Sequence, residues 1–325
     1  MQDGGGKTVW LPYRPSQVPG LPAGLTYAGW DGSAPMPGDP ADVRFLVGPP
    51  EPGAERILRT VLPRMRNLEV LQLLSSGYEH MMPLLDVMPA GTRLATGRGV
   101  HRDATAELAV TLLLALCRGL DDFGSQQAKG KWRPAFRPTL VGKRVLIVGY
   151  GAVGAAVTAR LGAFRCETVL VARTARTAPA GRVHGVAELP ALLPTADAVV
   201  VCAPLTDQTR GMFGAEALAL LKSGAMLVNV ARGEIVDTRA MVRRVRAGRL
   251  RVALDVTDPE PLPPGHPLWH LPGVLITPHV AAFTDAFPLM SADFLRRQLS
   301  RYQRGEELHN VVLTTSGTEA DGQAA

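Results

Sequence analysis

Apolar runs of strand length recur along this chain, and most are continuous rather than alternating with polar residues. In its second half the pattern predicts strands at Arg144–Val148, Thr168–Ala172, Ala198–Cys202, Ala225–Val230, Val252–Val256 and Val274–Thr277. Helical spacing predicts helices among them at Ala152–Ala163, Ala215–Leu221 and Thr238–Ala247. Continuous apolar runs suit strands covered on both faces, and regular alternation with helices predicts parallel βαβ units. The first hundred residues read as a smaller α/β unit. Its predicted strands are Thr8–Leu11, Leu25–Ala28, Val43–Val47 and Val70–Leu74, with a helix over Glu55–Leu68. Between the two lies a helix over Asp103–Asp121 that is apolar all round, as expected of one packed between domains or subunits. A polar stretch to Pro138 with Trp132 and two prolines reads as a connecting arm, and a last helix is expected over Ser291–Arg304. The small, polar end from Thr314 to Ala325 is expected to be disordered.

Composition narrows the class. A length of 325 residues is a prior for two domains, and 46% hydrophobic with 20% charged residues fits a soluble globular protein. The longest largely apolar run, Leu108–Cys117, is too short to span a bilayer, and no signal peptide is recognisable, so a cytoplasmic protein is expected. Cys117, Cys166 and Cys202 all lie in apolar segments without metal-ligand spacing, which reads as buried free thiols and no metal site. The net charge of +6 comes from scattered arginines, the tightest group being a solvated helix face at Arg243–Arg251, so no nucleic-acid partner is expected.

One turn carries a dinucleotide fingerprint. Gly149, Gly151 and Gly154 stand in G-x-G-x-x-G spacing directly after a predicted strand and at the opening of a helix. These glycines permit the tight turn, the approach of a pyrophosphate and close helix–strand packing. The N–H groups of the helix start, at Ala152 and Val153, then face phosphate oxygens. The next strand should end in an acid if NAD is used, but Arg173 stands there, followed by Thr174 and Arg176. A guanidinium fork binds a 2′-phosphate, so NADPH is the preferred cofactor, with NAD possible.

Three later strands each stop at a polar residue suited to carbonyl reduction. The run AMLVNV leads to Arg232, RVALDV to Asp255 and Glu260, and VLITP to His279. Ligands of parallel sheets bind beyond the carboxyl ends of the strands, so these residues should converge. Together they can hold a carboxylate, polarise a carbonyl and deliver a proton. Each has a plain alternative taken singly: an exposed arginine in a surface pair, a solvated acid in a proline-rich loop, a histidine capping a turn.

The segments GYGAVG at 149–154, APLTDQT at 203–209, NVARGEIVD at 229–237, ALDVTDPEPLP at 253–263, HPLW at 266–269 and TPHVAAFT at 277–284 resemble the D-2-hydroxyacid dehydrogenases, in particular their glyoxylate/hydroxypyruvate reductase-like members. The resemblance implies a Rossmann-type doubly wound parallel sheet, residues 101–284, inserted into a smaller flavodoxin-like α/β substrate domain, residues 1–100 plus 285–325. It implies NAD(P)H-dependent reduction of a small 2-oxo acid to the (R)-2-hydroxy acid, and a homodimer joined through the cofactor domain. Arg232 would clamp the substrate carboxylate, His279 would be the general acid and base, and Glu260 would orient it. Asp255, Val230 and Ala231 would border the nicotinamide, and Pro204 and Thr209 the adenosine side. Ser76 and Gly77 would offer backbone N–H groups to the substrate carboxylate, with Ser75 and Tyr78 lining the same turn. Trp132 and Trp269 are candidates for closing the site, while His80, His101 and His266 read as structural. A corepressor-type NAD(P)-sensing protein without turnover is the main alternative. Formate dehydrogenase is a second, weakened by Glu260, where those enzymes place glutamine. Which 2-oxo acid is used, in which direction and in which pathway, is not legible here.

Overall fold

A computed structural model describes residues 6–33, 35–51 and 53–316. The chain divides into two compact units, Met1–His101 with Asp285–Ala325, and Arg102–Thr284. Each carries its own sheet.

In the first unit, β1 (Lys7–Leu11), β2 (Leu25–Gly29), β3 (Val43–Val47), β4 (Val70–Gln72) and β5 (Arg93–Ala95) pair in parallel in the order β2-β1-β3-β4-β5. That is the flavodoxin-like order. The C-terminal strand Val311–Thr314 adds antiparallel to β5. Alternate residues feed two cores: Trp10 and Leu46 pack on one face, and Val9, Leu11, Phe45 and Val47 on the other. The second face is covered by the helix Phe287–Gln303 through Phe294, Leu295, Leu299 and Tyr302. This period of two is what a pleated strand dictates.

The second unit is an eight-stranded sheet of β6 (Arg144–Val148), β7 (Glu167–Ala172), β8 (Arg176–Ala178), β9 (Gly181–Gly185), β10 (Ala198–Val201), β11 (Ala225–Asn229), β12 (Leu250–Leu254) and β13 (Val274–Ile276). The order β13-β12-β11-β10-β6-β7-β9-β8 is parallel except for the antiparallel hairpin β8–β9. Both sheets with their helices make an α/β, Rossmann-type fold. The strand order reverses between β6 and β10, the place where such sheets bind their ligands. Helices Arg102–Arg118 and Ala152–Leu161 pack on one face, and Thr238–Arg246 on the other.

Several boundaries differ from the sequence expectation. The helix expected over Glu55–Leu68 ends at Val61 and tightens into a single 3-10 turn, because Pro63 cannot supply the next helical N–H. The long apolar helix stops at Arg118, where Gly119 turns left-handed at φ 66° and a second helix, Leu120–Ala128, begins. Its buried residues, Ala106, Ala109, Val110, Leu112, Leu113, Leu116 and Cys117, lie in the core of its own unit, so much of its apolar surface is spent there. The last helix starts at Phe287 rather than Ser291, its first turn accommodating Pro288. β13 is an edge strand and only half-buried, unlike the strands between. Of the tail expected to be disordered, Thr314 lies in a strand and Thr315 bonds to Thr92, while residues 317–325 lie outside the described residues. All three cysteines are free, but only Cys117 is fully buried. Among the described residues no helix is long and apolar enough to cross a membrane, and no metal-binding cluster is present.

Candidate active site

The glycine turn closes β6 by backbone packed on backbone. Gly149 takes φ 107°, and a Cβ there would lie 2.3 Å from the Ala203 nitrogen at the end of β10. A Cβ on Gly154 would lie 2.3 Å from the Gly149 oxygen. Only glycine serves at both positions. Gly151 and Ala152 are exposed at the helix start, and among the described residues the Ala152 and Val153 N–H groups have no acceptor. These free donors at a helix N-terminus fit a pyrophosphate. Arg173 and Thr174 follow β7 directly and are exposed. Arg176 reaches back to the turn: its guanidinium donates to the Tyr150 carbonyl at 2.7 Å and stands over the Tyr150 ring at 5.9 Å.

The acid and the histidine expected at strand ends do meet. His279 Nδ1 lies 2.6 Å from Glu260 Oε1. The Glu260 bond holds the His279 imidazolium to higher pH than usual, against burial, which pulls the other way. Burial pushes the Glu260 carboxyl up, but the His279 bond and charge, the Thr257 N–H and the Arg232 charge together outweigh it and leave the group below its usual range. Arg232 contributes a like-charge influence on His279 and an attractive one on Glu260, so its charge faces the same pair. Its Nη1 donates to the Ala231 carbonyl at 2.7 Å.

Asp255 organises the turn that carries His279. The buried carboxylate accepts from Thr277 Oγ1 at 2.6 Å, Val280 N at 3.0 Å and Ala281 N at 3.1 Å. It templates the turn in which His279 takes φ 54°, a left-handed conformation that side-chain-bearing residues rarely adopt. Pro204 is exposed after β10, and the Thr209 hydroxyl is used internally, donating to the Pro204 carbonyl at 2.7 Å. Val230 and Ala231 are buried, with Ala231 N donating to Asn229 Oδ1 at 3.0 Å.

Three residues were not singled out from sequence. Asn229, 1% exposed, also donates to the Arg232 carbonyl at 2.8 Å, so its amide shapes the whole turn that projects Arg232. Its signal was an amide closing the apolar run AMLVN. Gly233 would place a Cβ 2.0 Å from the Thr257 oxygen, so the loop bearing Arg232 packs directly on the one leading to Glu260. Thr277 supplies the shortest bond to Asp255. Trp269 is half exposed, its indole N–H on the Pro263 carbonyl at 3.0 Å.

In the other unit, Ser76 and Gly77 lie in a turn after β4. Among the described residues neither N–H has an acceptor, and Ser76 is exposed. Successive free amides of this kind form an anion-binding concavity.

Residues 110–281 match the family model for the NAD binding domain of D-isomer specific 2-hydroxyacid dehydrogenases. A glyoxylate reductase of Thermofilum pendens is 32% identical over 261 residues, covering 78% of this chain and 77% of the relative. The chloroplastic/mitochondrial formate dehydrogenase of Arabidopsis thaliana is 33% identical, covering 78% of this chain and 67% of the relative. Among solved structures, a D-isomer specific 2-hydroxyacid dehydrogenase from Xanthobacter autotrophicus Py2, in complex with NADPH and MES, superposes with a TM-score of 0.77 at 30% identity, covering 95% of this chain and 98% of the other. The chain belongs to the D-isomer specific 2-hydroxyacid dehydrogenase family, on its glyoxylate reductase-like side.

Proposed function

We propose that this protein reduces a small 2-oxo acid of the glyoxylate/hydroxypyruvate class to the (R)-2-hydroxy acid. The observation that carries the reading is the 2.6 Å His279–Glu260 pair with the charge of Arg232 beside it. With Nδ1 committed to Glu260, His279 keeps Nε2 as the atom that gives a proton to the substrate oxygen on reduction and takes it back on oxidation. The Glu260 bond raises the proton affinity of that donor, which favours its charged form. Arg232 holds the substrate carboxylate, which a planar guanidinium grips better than an ammonium. The free Ser76 and Gly77 amides are a further carboxylate-binding element.

A nicotinamide cofactor, when bound, supplies the hydride. Gly149, Gly151, Ala152, Val153 and Gly154 hold its pyrophosphate, with Pro204, Thr209, Val230 and Ala231 beside it. The Asp255 carboxylate acts on this region through the 277–281 turn. Arg173, Thr174 and Arg176 receive a 2′-phosphate, which favours NADPH; the similar Xanthobacter enzyme was crystallised with NADPH. Replacing Arg173 and Arg176 by glutamine abolishes that preference in NADPH-against-NADH titrations; unchanged selectivity refutes it. A cofactor-sensing protein without turnover is not favoured, because its task does not need a proton donor tuned by a carboxylate. Glu260 also separates this chain from formate oxidation, which transfers no proton through such a pair. We place the protein in the cytoplasm on its three free thiols and propose a homodimer joined through the Arg102–Thr284 unit. The deciding assay follows NADPH and NADH oxidation against glyoxylate, hydroxypyruvate, pyruvate and bulkier 2-oxo acids. Turnover of the small acids supports the reading, and none with any 2-oxo acid ends it.

A further inference from the structure

The turn after β4 is shaped from behind. The Leu74 carbonyl accepts from His101 Nε2 at 2.9 Å, and the Ser75 carbonyl accepts from the Gly97 N–H at 2.7 Å. The Gly77 carbonyl accepts from the Ser75 hydroxyl at 2.8 Å. The three carbonyls are engaged, while the Ser76 and Gly77 N–H groups, like those of Leu74 and Ser75 before them, have no acceptor among the described residues. The grip is close: a Cβ on Gly97 would lie 2.2 Å from the Leu74 oxygen. Among the described residues His101 is the one side chain from outside the turn that bonds to these carbonyls, and a carbonyl partner requires its Nε2 to carry the proton.

The same imidazole has a second contact. Its ring stacks on Phe287 with centroids 5.1 Å apart and planes at 21°. The chain leaves this unit directly after His101 and returns at Asp285, two residues before Phe287. Both connections to the other unit are therefore anchored on one ring, and that ring holds the turn.

We propose that His101 is the positioning residue of the Leu74–Gly77 turn, fixing its free amides as a binding site for the carboxylate of the substrate, with Phe287 holding the ring in place. The proposal rests on the reading that this turn receives a carboxylate. Two variants separate the parts of the role. H101F keeps an aromatic ring to stack on Phe287 and removes the donor, while H101Q keeps a donor at similar reach and removes the ring.

The test measures three quantities in the full-length protein: oxalate affinity with NADPH present, by calorimetry; the KM for glyoxylate; and NADPH affinity, by fluorescence. One lost hydrogen bond predicts that H101F weakens oxalate binding and raises KM by about tenfold, with kcat and NADPH affinity little changed. H101Q recovers most of that loss, which a purely structural role of the ring does not allow. F287L moves the same two quantities in the same direction by less. Wild-type oxalate affinity in H101F, equal losses in H101F and H101Q, or no oxalate binding by the wild type each overturn the proposal. The outcomes stay separable from the activity itself. A wild type that binds oxalate but reduces no 2-oxo acid removes the reductase reading and leaves this one standing on the binding data. An active wild type whose H101F variant is unaltered does the reverse.

Discussion

His279 and Glu260 share one proton balance. The hydrogen bond raises the imidazole's proton affinity and lowers the carboxyl's, so it widens the pH interval in which both are charged. Reduction needs the protonated imidazole, so kcat/KM falls as pH rises through the His279 pKa. Glutamine at 260 keeps a hydrogen-bonding group but removes the charge, so E260Q moves that falling limb to lower pH. A pH profile with glyoxylate measures this, and an unmoved limb sinks the assignment of Glu260. Stability follows a different rule. The imidazole's contribution is present below its ordinary pKa and is lost as pH rises through the raised folded value. The carboxylate's contribution is present above its ordinary pKa and is lost as pH falls through the lowered one. Both side chains are more than 40% exposed, so the pair contributes at most about 1 kcal/mol, and E260Q unfolds in urea close to the wild type. A catalytic defect with little loss of stability is thus expected. These residues were legible because each closes an apolar run, while their protonation balance depends on a 2.6 Å distance that spacing does not encode.

At the scale of elements, the catalytic loop is held by a strand end rather than by its own preference. His279 sits at φ 54°, which costs roughly 1–2 kcal/mol for a residue with a Cβ. The buried Asp255 carboxylate offsets that cost through its bonds to Thr277, Val280 and Ala281. T277V removes the shortest of them at nearly constant volume. Losing a bond to a buried charge predicts about 1.5–3 kcal/mol less stability in urea unfolding, with a fall in kcat as the turn loosens. Unchanged stability sinks this account of the turn. Asp255 was visible in the sequence as an acid at a strand end, but its partners were not, since backbone amides leave no trace in residue types. The hairpin β8–β9 escaped for another reason. β8 is three residues long and largely exposed, β9 is polar, and Gly181 joins them at φ 113°, so no apolar period marks them. The breaks at Pro63 and Gly119 were written in the sequence, and the apolar pattern running across them hid them.

For the whole molecule, the central strands of both sheets were legible from continuous apolar runs, because parallel strands buried on two faces admit little else, whereas the short strands β5, β8, β9 and Val311–Thr314 were not. The least predictable surface lies in the Arg102–Thr284 unit, where the long helix still shows an outward strip. Thr111, Leu114, Ala115 and Arg118 from that strip, with Leu120 and Phe123, line an open groove of about 450 Å³. Beside it in sequence runs the arm of residues 129–139, on which Trp132 is 95% exposed and Phe136 fully so. Two solvent-facing aromatics on one irregular segment are costly in a monomer, and a two-fold pairing of identical units would cover each of them twice. The exposed aromatics make this surface, rather than the buried face of the helix, the one to test for the proposed homodimer. Truncating a central interface aromatic costs about 2 kcal/mol or more, so W132A/F136A weakens association by several orders of magnitude. Sedimentation velocity then shows a dimer for the wild type and a monomer for the double variant, with the far-UV spectrum unchanged because neither side chain belongs to a core. A monomeric wild type removes the dimer, and a double variant that remains dimeric moves the interface away from the arm.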